Sequence, residues 1–299
     1  LGDFNSTLSL GLVRMLFKGI IDMSTFLQTN KERHAKWTDI LTHLSDYPTA
    51  PNAEGRLSLK NMESGPAGVE ESPSGLNRVS IHGLILPGGV TGPMTDSTFN
   101  AILLDDINHW QEKTRRPEDW GNTYNNGIET CFPGAVRVGY DARHLLEHLK
   151  KRIAMTVYPN GWITQGGGGI ETLAAVPLTI NEMLLQSYEG ILRIFPNWIQ
   201  NKNASFHNLR AYGAFLVSSS LKNGRVEVVE LTSEKGKTCT MENPWPTEDV
   251  TLWRNGKKAE TKAKCSILTE DGAHIRSTAS SNTEKVFLRS TVNAYTLSL

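Results

Sequence analysis

The residues with the clearest chemical potential lie in Asn160-Gly-Trp-Ile-Thr-Gln-Gly-Gly-Gly-Gly-Ile-Glu-Thr172. Four consecutive glycines, Gly166 to Gly169, permit backbone conformations and close approaches that side chains would block. A phosphate loop would need a Lys-Ser/Thr pair after the glycines, and none is present. The run instead suits a loop that brings backbone and the Glu171 carboxylate against a bulky neutral ligand, with Trp162 as a stacking plane and Gln165 beside it. Glu171 also has a plainer reading, since a carboxylate in the first turn of a helix is favoured by the macrodipole alone.

A second polar segment, Trp120-Gly-Asn-Thr-Tyr-Asn-Asn126, joins aromatic rings to amides. That mixture binds sugars by stacking on C–H faces and hydrogen-bonding hydroxyls, so Trp120, Asn122 and Asn126 are candidate substrate contacts. Glu129 just beyond has the same ambiguity as Glu171, and His82 in Ser80-Ile-His-Gly83 is a further candidate contact. No HExxH, GxSxG or Cys/His metal spacing occurs, so neither a metal nor a cofactor is expected. Cys131, Cys239 and Cys265 read as small buried hydrophobes, with a Cys239–Cys265 pair open if the protein is exported.

These residues need a scaffold, and its pattern is helical first. Apolar residues recur at three- and four-residue intervals over 6–27, with Ser6 or Thr7 placed to cap, and again over 30–44, stopping before Pro48. Residues 50–95 read as a long loop region with short strands around 79–86. Helical spacing returns at 99–110, 124–138, 145–153 and 174–187, about six helices in all. Near Gly190 the period changes to two, as in Phe215/Val217 and Val226/Val228, with Asn223-Gly224, Asn243-Pro244 and Asn255-Gly256 as turns. The expected organisation is a helical domain over 1–189 and an antiparallel β domain over 190–299.

Composition narrows the partners. Lys+Arg and Asp+Glu number 31 each, a formal charge of zero, so no basic field exists to attract nucleic acid or an anionic membrane. The opening segment lacks the pattern of a signal peptide, and Leu1 is not an initiator methionine, so the start reads as a processing or cloning boundary.

Several stretches together resemble glycoside hydrolase family 95, the α-L-fucosidase type. The run Ile180-Asn-Glu-Met-Leu-Leu-Gln-Ser-Tyr-Glu-Gly190 is similar to that family's Ile-Ala-Glu-Met-Leu-Leu-Gln-Ser-His-Glu-Gly. Ser80-Ile-His-Gly-Leu-Ile-Leu-Pro-Gly88 resembles its Ser-His-Leu-x-Gly-Leu-x-Pro-Gly, and Leu209-Arg-Ala-Tyr-Gly-Ala-Phe215 its Leu-Arg-Ala-Arg-Gly-Gly-Phe. The resemblance spans about residues 2–243. It implies an α + β multidomain protein: an (α/α)6 toroid of the six-hairpin glycosidase type followed by an antiparallel β-sandwich. The implied reaction is inverting, exo-acting hydrolysis of an α-L-fucosyl or related bond, with a periplasmic or extracellular location. Counting back from Glu182, the family's aspartate, which polarises an asparagine that activates water, falls on Glu171.

Departures limit the inference. The family's Gly-Asn-Phe-Gly-Gly after the aspartate is here Thr172-Leu-Ala-Ala-Val176, so an α-L-galactosidase or another toroid glycosidase is an alternative. The family's proton donor and asparagine base lie upstream of the matching region, and no residue here inherits either role. A toroid needs twelve helices, so the chain reads as the second half, and half a toroid would expose apolar helix faces. The expected partners are therefore an oligosaccharide or polysaccharide and a preceding portion of the same protein. A non-catalytic carbohydrate-binding protein, with Glu171 merely ending a loop, is the other alternative.

Overall fold

In the computed structural model the described residues are 5–65, 85, 97–114, 128–160, 170–235, 239–245, 247–254, 257–262, 267–269 and 284–290. The chain forms two compact units, Leu1–Thr179 and Ile180–Leu299.

Six α-helices can be bounded among the described residues: α1 Thr7–Leu27, α2 His34–His43, α3 Ser97–Thr114, α4 Ile128–Val138, α5 Ala142–Thr156 and α6 Ile170–Leu184. Ser6 caps α1, its hydroxyl accepting from the Ser9 amide at 3.2 Å. Helix α4 ends in a Schellman motif: Gly139, at φ +87°, donates to Val136 O at 3.1 Å and Tyr140 to Ala135 O at 3.0 Å. Asp141 then caps α5 by accepting from the His144 amide at 2.8 Å. Three residues thus stop one helix and start the next, as a helical hairpin requires.

The first unit also holds a short hairpin absent from the sequence expectation, β1 Thr49–Pro51 paired with β2 Leu57–Leu59, which packs on α3. Ile85, the one described residue in the region expected to form short strands, is helical and fully buried, and its carbonyl accepts from Arg137 at 3.2 Å. Helix α6 begins earlier and ends earlier than the spacing predicts, because Leu185 and Gln186 leave it to pair with Ile194 and Arg193.

The second unit contains two sheets. One has six strands in the order β10 (Lys257–Lys262), β9 (Val250–Arg254), β12 (Glu284–Ser290), β7 (Arg225–Ser233), β6 (Phe215–Lys222) and β5 (Ala204–Ala211). The other has four, β11 (Ile267–Thr269), β8 (Thr240–Glu242), β4 (Ile191–Ile194) and β3 (Leu185–Gln186). The domain expected to be antiparallel contains one parallel pair, β4 with β8, made possible by the long crossover that carries β5, β6 and β7 between them. Both sheets supply one core: Leu185, Leu192, Ile194 and Met241 from the smaller, Phe206, Phe215, Val217, Leu221, Val229, Leu231 and Leu252 from the larger.

Two bulges correct the period-two reading. On β7, Leu221 faces Val226 but Ser220 faces Val228, so Glu227 is the extra residue. The slip turns Val226 and Val229, rather than Val226 and Val228, into the core. On β5 the register shifts between Phe206 and Leu209, where Asn208 takes φ +54° and donates to Ser218 Oγ at 2.9 Å.

Candidate functional site

Glu171 is the second residue of α6 and Glu129 the second of α4, so each lies in a helical first turn, where unpaired backbone N–H groups favour a carboxylate. Their side chains lie outside the described residues. So do His82, Trp120, Asn122, Asn126, Trp162 and Gln165, together with the glycine run. Cys131 and Cys239 are buried, as small hydrophobes would be, and Cys265 lies outside the described residues.

Four polar groupings are described in atomic detail. In the first unit, Asp106 of α3 has no exposed side-chain surface. Its Oδ2 accepts from the Leu59 amide at 2.9 Å and its Oδ1 from Arg56 at 3.0 Å, while Arg56 also donates to Asp105 at 2.6 Å. Burial raises the Asp106 pKa, and the Leu59 amide, the Ser58 hydroxyl and Arg56 pull it back. With both oxygens engaged by β2 and its neighbour Arg56, this carboxylate tethers the hairpin to α3. At the rim of the tether, His109 approaches Glu54 at 3.5 Å.

Ser24 and His34 have the composition of a nucleophile and its base, with Oγ and Nε2 2.7 Å apart. The geometry assigns another role. The Ser24 hydroxyl donates to the Thr29 carbonyl, so the imidazole must donate to Ser24, and the serine is buried. The pair closes the turn between α1 and α2.

On α5, His148 and Arg152 are buried on the same stripe as Leu145 and Leu149. Burial, reinforced by Lys151 and His144 and opposed by Glu147, pushes the His148 pKa down to about 4, so the ring is neutral near pH 7. Burial likewise lowers the Arg152 pKa, against the pull of Cys131 on α4. The sequence signal for both residues is a titratable side chain falling on an apolar stripe.

In the second unit, Arg193 of β4 is buried with its guanidinium paired to Glu189, 3.4 Å from Glu242, and 4.9 Å from the centre of the Tyr188 ring. Glu189 itself has φ +58°. This knot lies in the run that carries the family resemblance. Met183, Leu184, Leu185, Gln186 and Tyr188 are all buried there, and Gln186 donates to the Glu182 carbonyl at 3.2 Å. Ser187 Oγ accepts from the Tyr212 amide at 3.1 Å. The most specific stretch of the resemblance therefore serves packing and the exit from α6.

Among the described residues no group of three or more His, Cys, Asp or Glu could hold a metal ion. No helix among them is long and apolar enough to cross a membrane.

No family model and no curated protein matches the chain. Among solved structures it is similar to Ara127N, a GH127 beta-L-arabinofuranosidase from Geobacillus stearothermophilus T6, at 12% identity and a TM-score of 0.28. The similarity covers 72% of this chain and 41% of that one, so the chain spans well under half the length of that protein. A likeness at this score decides neither the toroid nor the sugar.

Proposed function

We propose that the chain is the later part of an inverting, exo-acting glycoside hydrolase of the α-L-fucosidase type, exported to the periplasm or outside the cell. The observation that supports this reading is the run 180–190. Its residues resemble family 95, and in the fold Met183, Leu184, Leu185, Gln186 and Tyr188 of that run are buried where the chain ends α6 and forms β3, a place where a shared scaffold would constrain sequence. Glu171 lies eleven positions before Glu182 on the same helix, at the family's spacing for its aspartate. A glutamate is one methylene longer and keeps the carboxylate needed to orient an amide or a water. In this reading His82, Trp120, Asn122, Asn126, Trp162 and Gln165 contact the sugar, and a preceding portion of the protein supplies the acid and the asparagine.

The test is a panel of aryl α- and β-glycosides of L- and D-sugars, assayed with a protein that carries the preceding residues. Release from an α-L-fucoside or α-L-galactoside is expected, and no release from any L-sugar would sink the fucosidase-type reading. In that protein Glu171→Gln should lower turnover by about a hundredfold or more, the scale of general-base effects. Unchanged turnover would remove Glu171 from the mechanism.

A further inference from the structure

The triplet Asn-x-Ser/Thr, with x other than proline, is the acceptor for N-linked sugars, and it occurs twice in the chain, as Asn5-Ser6-Thr7 and Asn203-Ala204-Ser205. The fold treats the two differently. Asn5 Nδ2 donates to Ser45 Oγ at 3.0 Å and to the Glu63 carboxylate at 2.7 Å, so both amide hydrogens are in use and a glycosidic bond would take one of them. Thr7 is fully buried, with its hydroxyl donating to the Lys60 carbonyl. The first triplet is closed.

The second is open. Asn203 is exposed immediately before β5, and Ser205 is exposed on that strand, its backbone in register with Ser220 of β6. Asn203 Oδ1 accepts from the Asn223 amide at 2.9 Å. An N-linked sugar leaves Oδ1 in place and replaces one Nδ2 hydrogen, so this anchor survives the linkage.

The position also suits the sheet. Strands β5 and β10 are the outer two of the six-stranded order. The β10 edge carries Lys257, Lys258 and Lys262, charges that resist pairing with a foreign strand. On β5 the one formal charge, Arg210, lies beyond the bulge and is engaged by Glu234, which leaves residues 204–207 with none. A bulky, hydrated sugar rooted at Asn203 would stand at the start of that unguarded stretch.

We propose that Asn203 carries an N-linked oligosaccharide that shields the first half of β5. The donor is a lipid-pyrophosphate-linked oligosaccharide. In the transfer the Nδ2–C1 bond forms as the C1–O bond to pyrophosphate breaks; Nδ2 gives up one proton, and the lipid pyrophosphate leaves with the electron pair. The proposal rests on the extracellular location in the reading above.

The test is expression, in yeast with a cleavable secretion leader, of a protein that carries the preceding residues. Peptide-N-glycosidase should lower the mass of the product. Ser205→Ala, which keeps Asn203 and its bond to Asn223, should lose that mass shift, Ser205→Thr should keep it, and Asn5→Gln should not change it. The same digestion applies to chains held back in the cell, so a folding failure does not hide the answer. No glycosidase-sensitive mass, or one that persists in Ser205→Ala, overturns the site. At matched concentration Ser205→Ala should aggregate severalfold faster than Ser205→Thr, and equal rates overturn the shielding. Fractionating the source cells tests the location by itself: an intracellular protein overturns the extracellular reading, while the leader-directed chain still reports whether Asn203 accepts a sugar.

Discussion

A guanidinium taken out of water holds its place only while its counter-charge is present, and Arg193 is such a group. Replacing it with methionine would leave the Glu189 carboxylate, itself 7% exposed, without its main partner. Arg193→Met should therefore cost about 3–5 kcal/mol in urea unfolding, and Arg193→Met with Glu189→Leu should recover much of that loss. His148 makes the opposite statement, because it is buried neutral. Its folded pKa of about 4 lies below the usual value of 6.5, so the unfolded chain binds the proton more readily. Stability should be full above about pH 7 and fall as pH drops from about 6.5 to about 4. His148→Phe should flatten that slope in unfolding curves taken at pH 7 and pH 5. Both buried residues of α5 were within reach of the sequence, since His148 and Arg152 extend the spacing set by Leu145 and Leu149. Asp106 is legible in the same way, one step before Ile107 and three after Leu103. The candidate sugar contacts differ in kind. They stand out by chemical type in segments without a helical or strand period, where spacing carries no record of which side chains meet.

At the scale of elements, the legible parts are those whose signal is local. Asn223-Gly224 forms the expected two-residue turn, with φ +50° and +76°, because both conformations match the twist of the strands they join. The turn before β6 departs from the resembling family at Tyr212, where that family has arginine, and at Ala214, where it has a second glycine. Ala214 takes φ +63°, a left-handed conformation that a Cβ disfavours. Ala214→Gly should therefore raise stability by about 0.5–1 kcal/mol. Gly213→Ala should lower it, since a Cβ there would lie 2.6 Å from the Phe215 ring. Thermal melts of the two variants, moving in opposite directions, check the pair. Less legible were β1 and β2, three residues each, too short to display a period. The bulges were hidden for another reason: one inserted residue inverts the alternation on which strand reading depends.

For the whole molecule, what could be read was the order of helical and β units, and what could not was any pairing between distant segments. The parallel contact of β4 with β8 is such a case. Activity belongs to this scale as well. If the acid and the asparagine lie in preceding residues, the 299-residue chain alone should release no aryl glycoside, and a measurable rate from it would remove the need for those residues. The six-stranded sheet has one further consequence. Strands β5, β6 and β7 follow one another as a meander, and β9 and β10 form a separate hairpin, but β12 lies between β7 and β9 and bonds to both. During synthesis both pieces can form with raw edges before the strand that joins them has left the ribosome. Until β12 arrives, β7 and β9 each offer an unpaired edge, so the interval of greatest aggregation risk is set by the last strand to emerge among those described.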